Sequence, residues 1–201
     1  PQPFGFEGLN KEEHGLAELP AFERFGLIWV RPSVSDSALS IDAWLAPMAE
    51  QLASLDLASH QIFKAWTVEL NMGWRIALEG FQESYHFCSA HKHTACSAYL
   101  DNQSVFLDQY PHVRHAVPLA DAVTLQDKPE AEWDYRANYM TQNYLFPCNF
   151  VQSMTDHVYI HSVIPTGPGT SVFKCMMLIP ASPEEVAENA KAERYWEANY
   201  N

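Results

Sequence analysis

The spacing of apolar residues predicts an amphipathic helix that begins near residue 74. The apolar residues that recur at i, i+4, i+7 and i+11 are Trp74, Leu78, Phe81 and Tyr85. This spacing gathers side chains along one side of a helix. We therefore expect the stripe to face a core.

Polar residues of the same segment define a second helix side. Glu79, Glu83 and His86 recur at i, i+4 and i+7, so two carboxylates and one imidazole would share one face. His91 follows five residues after His86 and would lie roughly 140° further around an ideal helix. Both rings can reach one metal ion only if the helix breaks, and we expect the break after about Phe87.

The rest of the chain predicts strands and helices in separate blocks. Residues 25–30 and 62–70 are expected to be strands, and residues 41–55, with apolar side chains on one side, are expected to be a helix. Residues 92–133 form a long, less regular region with several prolines, which is typical of a binding loop or lid.

The last third of the chain predicts consecutive antiparallel strands. These strands span residues 144–151, 157–164 and 171–179, with strong turn chemistry at 166–169. A final helix is expected to begin at Ser182. The order of elements predicts one α+β domain with an antiparallel sheet.

Composition agrees with a globular domain and excludes some partners. The chain has 201 residues, of which 47% are hydrophobic and 13% aromatic. Its formal net charge of -13 would repel phosphate backbones and anionic membranes, so we expect neither nucleic acid nor a membrane as partner. No apolar stretch approaches the length of a membrane span.

Cysteine usage predicts a reducing compartment. The chain contains four scattered cysteines and no Cys-x2-Cys pair: Cys88, Cys96, Cys148 and Cys175. This pattern favours free thiols in the cytoplasm over a disulfide framework.

Two histidines and a carboxylate are the set that suits a non-haem Fe(II) ion with open coordination positions. A carboxylate beside His86 could be a ligand or could accept a hydrogen bond from the ring. A bare His-x4-His pair is more often a solvated helix face than a metal site. The longer string Trp-Arg-x3-Glu-x3-Glu-x-Tyr-His-x4-His is much more specific than the pair.

This string closely resembles the mononuclear-iron motif in the catalytic domain of Rieske-type aromatic ring-hydroxylating oxygenase alpha subunits. On that resemblance His86 and His91 are iron ligands, and Glu83 takes the place of the acid that bridges to a Rieske cluster of a neighbouring subunit. Glu79 and Tyr85 would contact the ligands and orient them without binding the iron themselves. The family fold that the resemblance implies is a helix-grip, START-like arrangement with long helices packed across the sheet.

The sequence departs from the family pattern at Gly80, where many members carry Asn. A second, weaker resemblance covers residues 23–32, which are similar to the strand that leads from the Rieske domain into the catalytic domain.

Two family features are not found in these residues. The chain has no Cys-x-His box for a Rieske [2Fe-2S] cluster, and the Cys88 to His91 spacing is read as a coincidence. The third iron ligand of the family is an Asp whose counterpart is expected beyond Asn201. We therefore expect residues 1–201 to be one catalytic-domain fragment, without the N-terminal Rieske domain and the C-terminal ligand-bearing helix.

The function that the resemblance implies is a terminal oxygenase, which hydroxylates or dihydroxylates an aromatic or other small organic substrate with dioxygen. Its cofactors would be Fe(II) and a Rieske cluster. Its electron donor would be a ferredoxin or reductase, and its assembly a trimer-type homo-oligomer in the cytoplasm. Substrate, mono- versus dioxygenation and the presence of a beta subunit stay open.

Two rival functions are compatible with the same residues. A helix-grip binding module without oxygenase chemistry is slightly favoured by Gly80 and by the missing third ligand, whereas His86, His91 and Glu83 argue against it. A zinc-dependent hydrolase could use the same histidines. Dioxygen consumption and metal content distinguish the three.

Overall fold

The computed structural model describes residues 5, 7–10, 12–32 and 40–180. In this part of the chain the strands are β1 Ala21–Arg24, β2 Leu27–Val30, β3 His60–Leu70, β4 Val105–Gln109, β5 His112–Pro118, β6 Tyr139–Leu145, β7 Asn149–Ser153, β8 Val158–Gly167 and β9 Thr170–Pro180. The α-helices are α1 Ile41–Leu45, α2 Ala49–Ser54, α3 Trp74–Phe81, α4 Phe87–Ala90 and α5 Tyr135–Asn138.

Most of the strands form one antiparallel sheet. Its seven strands lie in the order β3-β9-β8-β7-β6-β5-β4, so the strands from β4 to β9 are neighbours in both sequence and space. Strand β3 crosses over to pair with β9 at the far edge. Strands β1 and β2 form a separate hairpin. The predicted antiparallel α+β architecture is confirmed.

One face of the sheet packs against α3. Because directly paired residues on neighbouring strands share a face, a single row across β5 to β9 runs through Val113, Tyr144, Phe150, His161 and Cys175. Helix α3 contributes its buried side chains to the same cluster. We call this face the α3 face, and it places the end of α3 above the middle strands.

The opposite face is covered by α1, α2 and the 3-10 turn between them. Leu45, Met48 and Leu52 are fully buried against side chains of that face, such as Val151 and Val158. A fully buried Leu or Met side chain contributes about 1.5–3 kcal/mol to folding, so these side chains stabilise the packing of α1 and α2 on the sheet.

Three predicted elements are divided or shortened in the structure. The helix at 41–55 is interrupted by a 3-10 turn, Ala46–Met48, because Pro47 lacks an amide donor. The strand predicted at 25–30 begins only at Leu27, because Phe25 and Gly26 have positive φ and form the turn of the β1–β2 hairpin. The strand at 144–151 is β6 and β7, since Pro147 cannot donate to a sheet ladder.

The region 92–133 is more regular than predicted. It contains the β4–β5 hairpin, with paired residues from Val105↔Ala116 to Gln109↔His112. The pattern gave little sign of β4 because this edge strand is mostly exposed, so its side chains do not alternate between apolar and polar.

The prediction of long helices is not confirmed. The longest α-helix in the described ranges is α3, with eight residues. The predicted helix from Ser182 lies outside the described residues. Across residues 5–32 and 40–180, as far as they are described, the model has no helix with both the length and the apolar character to cross a membrane.

Buried histidines predict acid sensitivity. Burial lowers the pKa of His161 from 6.5 to about 3. As the pH falls below about 6.5, His161 becomes protonated in the unfolded chain but stays neutral in the folded protein. Its contribution to the free energy of unfolding is therefore fully present above that pH and declines toward pH 3. We expect the free energy of unfolding to fall by about 2 kcal/mol between pH 7 and pH 5 from this side chain. His112 and His115 act in the same sense.

Urea unfolding at both pH values checks this prediction. The matched variant is His161→Phe, because phenylalanine rings already stack on His161. Its loss of stability between pH 7 and pH 5 should be smaller than that of the parent by about 2 kcal/mol. An equal loss of stability in both proteins would show that His161 is not the source of the acid sensitivity.

Candidate metal centre

The helix that carries the motif ends earlier than predicted. Helix α3 stops at Phe81, and a new short helix, α4, begins at Phe87. Gly80 weakens the last turn, since glycine is a poor helix former. Ser84 then leaves the helical path, because its buried hydroxyl donates to the carbonyl of Asp101 at 2.6 Å. The break is therefore real, but it lies before His86 rather than after Phe87.

This early break brings the two histidines together. His86 is the residue before α4 and His91 is the residue after it. Their ring centroids are 5.1 Å apart, with 63° between the ring planes. Metal–nitrogen bonds of about 2.1 Å place two ligating rings at a separation of this size. The Phe87 ring contacts both imidazole rings and also packs against Tyr99. Phe87 therefore links the histidine pair to the core.

Glu83 fixes the orientation of His86. The Nδ1–H of His86 donates to Oε1 of Glu83, and the backbone N–H of His86 donates to Oε2 at 3.1 Å. With Nδ1 engaged as a donor, Nε2 carries the lone pair that a metal needs. The side chains of His86 and Glu83 are 29% and 48% exposed, so Glu83 also presents an open side to a partner.

The predicted apolar stripe follows α3 only as far as the helix continues. Leu78 is buried and Trp74 packs against the α3-face core. The Phe81 ring stacks on Phe173 and is tilted against Phe150, with ring centroids 5.1 and 5.2 Å away. Tyr85 is 81% exposed, because the chain has already left the helix at that point.

The structure does not bring the two predicted supporting residues to the histidines. Glu79 is exposed and lines an open pocket of about 460 Å³ together with Arg75 and Gln82. Tyr85 points into solvent. Their supporting role stays a prediction. Within the described ranges, no group of three or more His, Cys, Asp or Glu side chains is arranged to hold a metal ion.

The prediction that all four cysteines are free thiols is wrong. Cys88 and Cys96 form a disulfide, whereas Cys148 and Cys175 are free. The two cysteines have no paired motif, because α4 and the turns after it bring them together in space. The bond encloses His91 in a closed loop. It also removes Cys88 as a cluster ligand, in agreement with reading the Cys88 to His91 spacing as a coincidence.

Loss of this disulfide should destabilise the protein. Closing a loop of this length stabilises a fold by about 2.5 kcal/mol. We expect the double variant Cys88→Ser/Cys96→Ser to lose about that much in urea unfolding under oxidising conditions, and Cys148→Ser to lose much less. If all four cysteines react with a thiol reagent in the unreduced, unfolded protein, the pairing is wrong.

Buried polar side chains lie next to the motif on the α3 face. His115, Gln142 and Gln152 are paired across β5, β6 and β7. Nδ1 of His115 lies 2.9 Å from Oε1 of Gln142, whose Nε2 donates to Gln152 at 3.2 Å. Burial lowers the pKa of His115, and its hydrogen bond with Gln142 and the charge of Glu83 oppose this shift.

Tyr144 connects the polar row to α3. Its hydroxyl donates to the carbonyl of Phe81, the last residue of α3, and lies 2.9 Å from Oε1 of Gln142. Burial raises the pKa of Tyr144, so the hydroxyl keeps its proton. Tyr144 and Ser84 were not predicted as parts of the site, because both donate to backbone carbonyls that no motif reveals.

A comparison with protein families decides which family this geometry belongs to. Residues 57–201 match the family described as ring hydroxylating alpha subunit (catalytic domain). The chain belongs to this family. The match includes the whole segment with Glu83, His86 and His91, so the resemblance drawn from the motif is confirmed.

Solved structures of Rieske oxygenases share the fold of this ring-hydroxylating domain. The quaternary ammonium Rieske monooxygenase CntA in complex with an inhibitor gives a TM-score of 0.76 at 13% identity, covering 100% of this chain and 52% of that one. Naphthalene 1,2-dioxygenase from Rhodococcus sp. bound to indole gives 0.70 at 13% identity, covering 100% and 54%. At these identities the likeness concerns the fold.

The chain spans about half the length of these solved relatives. A comparison with curated proteins gives no significant match. Members of the ring-hydroxylating family use a mononuclear Fe(II) ion and a Rieske [2Fe-2S] cluster. The residues of this domain fit the first of these, because two neighbouring imidazoles present a donor set that suits Fe(II) and one of them is held with Nε2 available.

Proposed function

We propose that this domain is the catalytic part of a terminal oxygenase that hydroxylates or dihydroxylates a small organic substrate with dioxygen. The observation that carries the proposal is the pair His86 and His91, 5.1 Å apart, with Glu83 bonded to Nδ1 of His86. A solvated helix face would give no reason for a carboxylate to hold one ring in this tautomer next to a second ring.

His86 and His91 are the proposed protein ligands of Fe(II) in this domain. When bound there, Fe(II) supplies the coordination positions and the redox chemistry for dioxygen. The third ligand is proposed to be an Asp beyond Asn201, as the family resemblance implies.

Glu83 is the proposed bridge to the Rieske cluster of a neighbouring subunit. It is bonded to His86 on one side, and its side chain is 48% exposed. A carboxylate in this position can accept one hydrogen bond from the iron-ligand ring and a second from a group on another chain. This role requires a trimer-type homo-oligomer and an electron donor such as a ferredoxin or reductase.

The proposed substrate class rests on the family and on its structural relatives. The structural relatives include an oxygenase that binds L-carnitine and a naphthalene dioxygenase that binds indole. The proposal therefore covers aromatic and other small organic substrates, with mono- and dioxygenation both open.

Three further features belong to the proposal. The first is the helix-grip arrangement, in which a long helix lies across the sheet. The second is a cytoplasmic location, in keeping with a ferredoxin or reductase as donor; the Cys88–Cys96 disulfide weighs against it. The third is a single-domain organisation of residues 1–201 next to a separate Rieske domain.

Dioxygen uptake tests the proposal. The protein, in the longest form that its gene encodes, is mixed with a reductase system and a panel of arenes, aromatic acids and quaternary amines, and incorporation of 18O into product is followed by mass spectrometry. The proposal predicts substrate-dependent uptake with label from 18O2 in the product. Label that comes from H218O alone, without dioxygen uptake, would support the hydrolase and overturn the oxygenase.

A further inference from the structure

The segment between α3 and α4, residues 82–86, is held from both sides by buried hydroxyl groups. On its N-terminal side Tyr144, which is 4% exposed, donates to the carbonyl of Phe81. On its other side Ser84, which is 1% exposed, donates to the carbonyl of Asp101 at 2.6 Å. Both bonds join the motif to residues distant in sequence, 63 and 17 positions away.

Glu83 lies between these two bonds. Its own side chain is half exposed, so packing alone does not fix its position. Glu83 nevertheless accepts two hydrogen bonds from His86, one from the ring and one from the backbone. A side chain with this exposure keeps such a geometry when the backbone on both sides of it is held.

We propose that Tyr144 and Ser84 are positioning residues for Glu83, and that their two hydrogen bonds hold the segment 82–86 so that the Glu83 carboxylate stays against the His86 ring. Neither residue would touch the metal or the substrate in this role. They act through the backbone, at the end of α3 and in the middle of the segment.

The polar row on the α3 face explains how Tyr144 can serve this purpose. Its hydroxyl lies beside Gln142, which also contacts His115 and Gln152. Gln142 is in turn held by His115 on β5 and Gln152 on β7, so the residue beside the Tyr144 hydroxyl is linked to two neighbouring strands. The Phe81 carbonyl at the end of α3 is therefore tied to strand β6 of the seven-stranded sheet.

Amide hydrogen exchange tests the holding role without any need for a metal. Removing one buried hydrogen bond makes local opening about 3- to 10-fold more frequent. In Tyr144→Phe and in Ser84→Ala we expect the amides of residues 82–86, including that of His86, to exchange faster by this factor. Each variant is measured at a temperature where its free energy of global unfolding equals that of the parent, so that a difference in exchange reports local opening.

Ser171→Ala is the matched control. Ser171 is also 1% exposed and donates to a distant backbone carbonyl, that of Met72 at 2.9 Å, but it holds the chain ahead of α3 rather than after it. Its loss should leave exchange at 82–86 unchanged. Equal exchange at 82–86 in all three variants and the parent would overturn the inference.

A second readout connects the inference to catalysis, and here it rests on the proposed function. In single-turnover experiments with the reduced holoenzyme, electron delivery to the iron should slow by about 10-fold or more in Tyr144→Phe and Ser84→Ala, with iron content and substrate KM near those of the parent. Normal electron delivery despite faster exchange would limit the two residues to a structural role. If the parent itself holds no iron, the proposed function fails, and the exchange result still decides whether Glu83 is held.

Discussion

His86→Ala should remove the mononuclear iron and reduce oxygenase turnover by more than about 100-fold. Losing a group that only supports a metal ligand costs 10- to about 100-fold, and His86 is a proposed ligand itself, so its loss must cost more. Only His91 would remain of the pair in the described residues. Iron content by mass spectrometry, with turnover measured on the same sample, checks this prediction.

His93→Ala is the control for this experiment. His93 is exposed and lies two residues after His91, in the turn that follows α4. It should keep full iron content and turnover. Full iron occupancy in His86→Ala would refute the assignment of His86 as a ligand.

Glu83→Gln should keep the iron but slow electron delivery by about 10- to 100-fold. The glutamine carbonyl can still accept the hydrogen bond from Nδ1 of His86, so the ring stays oriented. The lost negative charge is the one that would stabilise a proton shared with a cluster ligand on the neighbouring subunit. Stopped-flow oxidation of the reduced cluster, together with iron content, separates the two effects.

Glu69→Gln, on the edge strand β3, serves as the matched charge control, since Glu69 is exposed and distant in sequence from the motif. It should behave like the parent. If Glu83→Gln turns over at the parental rate with normal coupling to the reductase, Glu83 is not the bridge.

The sequence was sufficient to select His86 and His91 as the proposed metal-binding pair. His86, His91 and Glu83 stand in a motif whose residue types carry the chemistry, and the structure brings all three together. The position of the helix break was wrong because the amphipathic pattern continues to Tyr85 after the helix has ended at Phe81. Periodicity reports which residues could share a face, not where backbone hydrogen bonding stops.

The features that the sequence did not reveal depend on contacts with the backbone or between distant residues. Tyr144 and Ser84 bond to main-chain carbonyls, which have no residue signature. Cys88 and Cys96 meet only after α4 and its following turns have formed. The antiparallel run of strands at the end of the sheet was predictable, because short turns connect consecutive strands. The division of residues 144–151 into β6 and β7 was not predicted.

Low-temperature EPR of the aerobically purified protein, in the longest form that its gene encodes, tests the central claim most directly. Spectra are recorded after dithionite reduction and again after addition of nitric oxide, with iron content measured on the same sample. A mononuclear site at His86 and His91 predicts a high-spin ferrous nitrosyl signal that is lost in His86→Ala and retained in His93→Ala, together with a Rieske signal. Protein free of iron, with no nitrosyl signal, would contradict the account.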